Sequence, residues 1–177
     1  MNIGFDLDGV LYRWHEALYR ELALFHNLKE DYYTFWRGRY HVIYDDNCWH
    51  NFVRWEHLVS CQFPNPKHVE FLNDLSKNNN IFYITHRPEE VRFSTKLWLE
   101  KSKFPQIENL IFPELASDKS FEIRQLELDI YCDDREGIIK SASKLCDAYL
   151  VEQPWNENGR EGLKCIPNIL SLRGVVQ

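Results

Sequence analysis

The order of hydrophobic and polar positions divides most of the chain into short apolar runs and longer stretches with helical spacing. Residues 2–7 are apolar enough on both faces to be buried in a parallel sheet. From residue 65 onward, strand patterns alternate with helix patterns, which predicts right-handed β-α-β units and an α/β fold with helices on both faces of an open parallel sheet. The tail after residue 153 is predicted as mostly loop, with a strand or turn near 163–172. The other strands are predicted at 81–84, 109–112, 128–132 and 148–151, and the helices at 14–27, 47–60, 66–77, 88–101 and 135–145.

A segment rich in aromatic residues interrupts this alternation between about residues 12 and 64. We interpret 12–64 as an inserted helical cap, and residues 1–11 and 65–177 as the core that carries it. A small insertion must bury apolar surface, so most of its aromatic rings are expected inside the cap, with one or two left to stack on a base or line a pocket. The first candidates for substrate recognition flank Gly38 in a loop expected to face the core: Arg37, Arg39 and Tyr40.

Composition and charge narrow the classes of function. The 177 residues are 44% hydrophobic, which suits one domain with a packed core, and the formal charge of -6 without a basic run disfavours duplex nucleic acid as a partner. A small anionic substrate stays compatible, because a metal ion and a few local cations overcome the net charge. Five scattered cysteines without a C-x-x-C pair predict reduced thiols. The sequence shows no signal-peptide pattern and no apolar run of about 18 residues, so we expect a cytoplasmic protein that does not span a membrane. The sequence does not decide whether the protein forms a homodimer.

Side chains with the chemistry for phosphoryl transfer follow several predicted strands at their carboxyl ends. Parallel sheets bind ligands at that edge. Two carboxylate clusters, a hydroxyl and a lysine are therefore expected to converge there. They are Asp6 and Asp8 after the first strand, Thr85 after the second, Lys119 in the segment before residue 120, and Asp133 and Asp134 after the strand at 128–132.

Each of these side chains suits one step of phosphoryl transfer. Asp6 would attack phosphorus in line and form an aspartyl-phosphate. Asp8 would protonate the departing oxygen and then accept a proton from the attacking water. Thr85 would donate its hydroxyl to a phosphoryl oxygen, and Lys119 would neutralise the charge shared by Asp6 and the phosphoryl group.

The clustered carboxylates also favour a hard cation. Mg²⁺ fits, because it takes one or two carboxylates together with a phosphate oxygen and keeps several waters. We predict Asp6 and Asp133 as side-chain ligands and the backbone carbonyl of Asp8 as a third, with Asp134 as a further candidate. The cation also removes the objection that clustered acids would repel a phosphate.

Two residues after the second predicted strand, His86 and Arg87, are candidates for binding phosphate or substrate. Arg87 either reaches the substrate or pairs with Glu89 or Glu90, and the sequence does not decide between these. His86 is favoured as a packing or surface residue, because Asp8 already supplies the acid–base group.

These segments, in this order, resemble the haloacid dehalogenase-like (HAD) phosphatase superfamily. Its pattern is D-x-D-G-[TV] at the first strand, Thr or Ser after the second, a Lys, and paired acids after the fourth. Within it the chain is most similar to the 5'(3')-deoxyribonucleotidase group, through residues 117–120, 133–135 and 153–156. The resemblance implies a Rossmann-like three-layer parallel sheet core with a small helical cap inserted after the first strand. It also implies Mg²⁺ dependence and a nucleoside monophosphate as the phosphorylated substrate.

Other functions stay open beside this one. A phosphatase of the same type could act on sugar or other metabolite phosphates, or on the 3'-phosphate of nucleic-acid ends. The last needs an open groove with cations and stacking residues, which the acidic balance disfavours. A non-catalytic nucleotide- or phosphate-binding module is the alternative from another class. The intact pair of Asp6 and Asp8 argues against it, since a binding module could lose Asp6 without penalty.

Overall fold

Parallel strands form the centre of the molecule. The computed structural model describes residues 1–26, 29–37, 63–113 and 118–176. In these residues, six strands form one sheet in which all neighbouring strands are parallel. They are β1 (Asn2–Phe5), β2 (Asn80–Ile84), β3 (Leu110–Ile111), β4 (Ile130–Asp133), β5 (Asp147–Val151) and β6 (Cys165–Ile166). The strand order is β3-β2-β1-β4-β5-β6, which places β1 and β4 side by side at the centre.

Helices connect these strands. The named α-helices of the described residues are α1 (Trp14–His26), α2 (Pro66–Leu75), α3 (Arg92–Lys101), α4 (Ser120–Gln125) and α5 (Glu136–Ala142). Residues 32–37 add a further helical segment, and 3-10 turns occur at Glu89–Val91, Ile107–Asn109, Pro154–Gly159 and Ile169–Gly174. The helices of this part of the chain are too short or too polar to cross a membrane.

The side chains of the strands alternate between two hydrophobic clusters, one on each face of the sheet. Along β5, Tyr149 and Val151 join one cluster, while Ala148 and Leu150 join the other. Buried residues of α1, α2 and α3 belong to the first cluster, and those of α4 and α5 to the second. The period of two along each strand therefore produces three layers, and the predicted α/β class with helices on both faces is confirmed.

Capping residues explain where two helices begin. The Asn65 side chain accepts a hydrogen bond from the Lys67 backbone N–H (3.0 Å), and Pro66 occupies the first position of α2, as the sequence predicts. The start of α3 differs from the prediction. A continuous helix from Pro88 is wrong, because Pro88 is extended and a 3-10 turn precedes the helix, whose cap residue Val91 offers no side-chain acceptor.

The first strand is shorter than predicted. It ends at Phe5, because the Leu7 carbonyl accepts the backbone N–H groups of three following residues at 2.7 to 3.2 Å. These bonds turn the chain away from the sheet directly after Asp6. The loop 7–12 is thus held at the carboxyl edge of the sheet.

The described part of the inserted segment packs on the core. Leu18 of α1 and Phe35 and Trp36 of the helical segment 32–37 lie in the same hydrophobic cluster as Phe5. The division into a core of 1–11 and 65–177 and a cap of 12–64 stays a prediction. The predicted helix 47–60 lies outside the described residues.

A buried histidine of α2 makes stability depend on pH. His68 is 8% exposed, and its Nδ1 has no hydrogen-bond partner among the described residues. Burial, assisted by the Arg13 charge, lowers the pKa of His68 from 6.5 to about 4. Between these values the unfolded chain binds a proton that the folded chain does not, so the stability due to neutral His68 is lost as the pH falls from 6.5 towards 4.

We expect His68→Gln to reduce this acid sensitivity. On going from pH 7 to pH 4.5, the variant should lose about 2 kcal/mol less of its free energy of unfolding than the wild type. Denaturant unfolding at both pH values measures the difference, and comparing the two proteins cancels the titration of the carboxylates. Equal losses in the two proteins would contradict the prediction.

Candidate active site

The centre of the site lies where β1 and β4 end. In the parallel pairing Phe5 stands opposite Cys132, and the Asp6 backbone N–H donates to the Cys132 carbonyl (2.9 Å). Asp6 therefore lies beside Asp133, the last residue of β4, and Asp134 follows. Ligand oxygens of these three buried carboxylates lie within 4.8 Å of one another. Register in a parallel sheet brings together residues that are more than 120 positions apart in the chain.

Lys119 lies between two of these acids. Its Nζ donates to Asp6 Oδ1 (2.5 Å), to Asp133 Oδ2 (2.8 Å) and to the carbonyl of Ile84 at the end of β2 (2.8 Å). The side chain is 1% exposed, so these protein groups, and not water, stabilise its charge. The structure thus places the lysine, the first aspartate and the later acid pair in one cluster.

The electrostatics of the cluster follow from burial. Burial raises the pKa of Asp6 to about 7; Lys119 opposes this shift, and Asp133 adds to it. Burial and the charges of Asp133 and Asp6 raise the pKa of Asp134 well above its usual range. Burial also opposes ionisation of Asp133, but Lys119 overcomes this and holds the pKa of Asp133 below its ordinary value. The cluster of three acids thus contains one ammonium group, which is bonded to Asp6 and Asp133.

This donor set fits a hard divalent cation. Carboxylate oxygens are the ligands that Mg²⁺ prefers, and a cation would relieve the mutual repulsion of the three acids. The cluster contains both predicted side-chain ligands, Asp6 and Asp133, together with the further candidate Asp134. The predicted role of the Asp8 backbone carbonyl as a ligand stays a prediction.

The Asp8 side chain has a partner that the sequence did not indicate. Arg87 Nε donates to Asp8 Oδ2 (2.8 Å) and Nη2 donates to Oδ1 (2.7 Å), which is a bidentate pair. The Arg87 side chain is fully buried, donates to Thr95 Oγ1 (3.2 Å) and lies over the Tyr12 ring at 4.7 Å. Neither sequence alternative for Arg87 included Asp8; Glu89 pairs instead with Arg92. The two partners are 79 residues apart, so only the folded sheet brings them together.

The other residues after β2 lie at the same edge of the sheet. Thr85 is buried, its backbone N–H donates to the Ile111 carbonyl (3.1 Å), and its hydroxyl oxygen accepts the N–H of Arg87 (3.3 Å). His86 is half-buried, with Nδ1 3.4 Å from Arg135 Nη1. The roles of Thr85 and His86 in binding phosphate stay predictions.

Of the three candidates for substrate recognition in the inserted segment, one lies within the described residues. Arg37 is exposed and pairs with Glu157, Nε lying 2.5 Å from Oε2. Arg39 and Tyr40 lie outside the described residues. Their predicted role in substrate recognition therefore stays a prediction.

Residues after β5 complete the site, and the sequence indicated them only as a motif of the resembling group. Gln153 Nε2 donates to the Gly9 carbonyl (2.6 Å), and Trp155 Nε1 donates to Asp134 Oδ2 (2.9 Å). Asn156 Nδ2 donates to the Asp134 carbonyl (2.8 Å). Gly9 has φ +84, a backbone conformation that favours glycine, and a Cβ there would also collide with the Asp134 carboxylate. Both the backbone conformation and the lack of space therefore require glycine at this position.

A cavity of about 600 Å³ opens beside this arrangement. Gly9 and Trp155, which both touch Asp134, form part of its wall. Four tyrosines and two arginines are among the other residues of its lining. The volume lies in the range typical of small-molecule sites.

Comparisons with known proteins agree with this fold and site. A curated protein of Oceanobacillus iheyensis, named as a putative nucleotidase, is 26% identical over 185 residues, covering 94% of each chain. A HAD family hydrolase of Deinococcus radiodurans with bound phosphate and sodium superposes with a TM-score of 0.63 at 15% identity, over 98% of this chain and 93% of that one. A magnesium-bound HAD hydrolase of Bacillus subtilis superposes with a TM-score of 0.60 at 13% identity, over 99% and 97%.

No protein-family model matches the chain. The structural neighbours show that the fold is that of the HAD hydrolases. This fold agrees with the resemblance to the HAD phosphatase superfamily that the sequence motifs indicated, and the curated relative carries the name of a nucleotidase.

Proposed function

We propose that this chain is a Mg²⁺-dependent phosphomonoesterase that works through an aspartyl-phosphate on Asp6, with nucleoside monophosphates as its substrates. The observation that carries this proposal is the position of Lys119, whose Nζ bonds both Asp6 and Asp133 in a cluster of three buried carboxylates. A binding module would not need a buried carboxylate fixed in this way at the edge where parallel sheets bind ligands.

In the first half of the reaction, an Asp6 oxygen bonds to phosphorus and the ester bond from phosphorus to the leaving oxygen breaks. Lys119 already holds one oxygen of Asp6, which fixes the direction of the carboxylate and offsets charge that builds up on the phosphoryl group. Asp8 supplies the proton that the leaving oxygen needs. The bound cation would offset further negative charge on the phosphoryl oxygens.

In the second half, a water molecule attacks phosphorus, and the bond between phosphorus and Asp6 breaks. Asp8 takes the proton from this water, so it begins and ends the cycle in the same state. Arg87 holds both oxygens of Asp8 in the structure, so one of these two bonds must open before that oxygen of Asp8 can carry the proton in either half of the reaction. Inorganic phosphate then leaves.

The choice of nucleoside monophosphates as the substrate class is supported by a curated relative and by the cavity, and not by the acidic cluster itself. The relative named as a nucleotidase favours a nucleoside monophosphate. The cavity beside Asp134 has room for a small molecule, and its tyrosine rings offer surfaces on which a base could stack. The phosphate bound in one structural neighbour and the magnesium bound in another support the ligand chemistry of the site.

The test is hydrolysis of a generic aryl phosphate, followed by a screen of nucleoside 5'- and 3'-monophosphates against sugar phosphates. Turnover should disappear after treatment with EDTA and return with added Mg²⁺. Nucleoside monophosphates should show kcat/KM at least about tenfold above that of the sugar phosphates, which corresponds to about 1.4 kcal/mol of transition-state binding.

The outcomes separate the open functions. Activity restricted to sugar phosphates would overturn the substrate class and leave the phosphatase in place. Tight binding of a nucleotide without turnover of any phosphate ester would favour the non-catalytic module.

A further inference from the structure

Trp155 connects the acidic cluster to the helix that follows the first strand. Its Nε1 donates to Asp134 Oδ2 at 2.9 Å, and its ring lies against the His15 ring of α1, with 3.7 Å between centroids and 31° between planes. Trp36 meets the Trp155 ring edge-on at 5.9 Å. The indole is therefore clamped by two rings, and its N–H has a fixed direction.

The Asp134 side chain requires a partner that holds it in the acidic cluster. Its carboxylate lies beside those of Asp6 and Asp133, and repulsion among the three favours turning it out of the cluster. Among the described residues, this carboxylate accepts a hydrogen bond from Trp155. Lys119 bonds Asp6 and Asp133 instead.

The backbone of Asp134 is fixed separately. Asn156 Nδ2 bonds its carbonyl (2.8 Å) and the Val151 carbonyl (2.9 Å), which ties the end of β4 to the end of β5. The Gly9 turn closes the other side, where a Cβ would collide with the carboxylate. With the main chain held, the remaining freedom of Asp134 is rotation of its side chain, and the indole N–H opposes that rotation.

We propose that Trp155 is a positioning residue for the cation site, acting through Asp134. The inference rests on the Mg²⁺ dependence given under the proposed function and adds to it a residue outside the ligand set. Groups that hold metal ligands in this way change metal affinity by about 10- to 100-fold when removed. Trp155 also forms part of the cavity wall, so one side chain touches both the acidic cluster and the space beside it.

The test measures Mg²⁺ binding without substrate, by isothermal titration calorimetry on the full chain. Trp155→Phe keeps a ring against His15 and removes the N–H. We expect its dissociation constant for Mg²⁺ to rise about tenfold or more. Trp36→Phe is the matched control, because it removes an indole N–H from the same ring cluster, one that bonds the His15 carbonyl (3.2 Å) and not an acid. Its dissociation constant should stay within about twofold of the wild type.

Three results would overturn the inference. Wild-type affinity in Trp155→Phe, with Mg²⁺ binding intact in the wild type, would remove the role of Trp155 and leave the proposed function standing. Equal weakening in Trp36→Phe would assign the effect to ring packing. Absence of Mg²⁺ binding by the wild type would remove the metal from the proposed function and this inference with it.

An NMR titration of the wild type tests the same inference without relying on a variant that could fail to fold. The chain has six tryptophans, so its nitrogen–proton NMR spectrum contains six indole N–H signals. At least one should move as Mg²⁺ is added, because the Trp155 N–H bonds a carboxylate of the cation site. Six unmoved signals under conditions where calorimetry records binding would overturn the inference.

Discussion

Asp6→Asn is expected to lower kcat by about 10⁴-fold or more, because an amide oxygen cannot form the phosphorus bond on which the first half-reaction depends. The fold should survive, since the change removes one of three buried carboxylates that repel one another. Steady-state hydrolysis of an aryl phosphate measures the loss. Acid quenching with a radiolabelled substrate should leave labelled phosphate on the wild type and none on the variant.

Asp74→Asn is the matched control. Asp74 is an exposed aspartate of α2 that forms an ion pair with Lys77, so the same change of one carboxylate to an amide occurs away from the site. Its kcat should equal that of the wild type. Retention of more than about 1% of wild-type kcat by Asp6→Asn, in a preparation free of wild-type enzyme, would contradict Asp6 as the nucleophile.

Lys119→Met is expected to affect both catalysis and stability. The buried lysine forms ion pairs with both Asp6 and Asp133, and removing it leaves two carboxylates without their shared partner. Breaking a buried ion pair from one side costs about 3 to 5 kcal/mol of folding free energy. Loss of the charge next to the phosphoryl group should lower kcat by about 10² to 10³-fold.

Added Mg²⁺ gives a specific signature of this role. A cation at the carboxylates would supply part of the missing positive charge, so Mg²⁺ should raise the melting temperature of Lys119→Met more than that of the wild type. Lys77→Met, which removes an exposed lysine of an ion pair within one turn, is the control and should melt like the wild type. If Lys119→Met matched the wild type in both stability and kcat, the proposed role of Lys119 in stabilising the carboxylates and the phosphoryl group would be wrong.

The fold was largely predictable because strands in a parallel sheet carry a strong local signal. Apolar runs such as 81–84 and 148–151 coincide with β2 and β5 to within one residue, and the Asn65-Pro66 start of α2 was read directly from capping chemistry. The prediction missed α4 (Ser120–Gln125) and the helical segment 32–37, and its other errors lie at the ends of elements. The strand β1 stops at Phe5 because of hydrogen bonds to Leu7, and a periodic pattern of side chains does not contain that information.

The acidic cluster was predictable for a similar reason. Parallel strands place their carboxyl ends at one edge, so finding acids after two strands was enough to expect Asp6 near Asp133. The partner of Asp8 was not predictable, because whether Arg87 turns towards substrate, Glu89 or Asp8 depends on rotamers and burial in the folded site. The same holds for the bond from Trp155 to Asp134.

By itself, the amino-acid sequence determined the α/β class, the alternation of strands and helices, and the residue types available at the carboxyl edge of the sheet. Hydrophobic periodicity and local capping act over a few residues, and the sequence displays them directly. Tertiary structure alone decided the pairings beyond the expected approach of Lys119 to Asp6: Lys119 on Asp133, Arg87 on Asp8, and Trp155 on Asp134. Such pairings join residues far apart in the chain, and which of the available charged partners meet is fixed only when packing removes them from water.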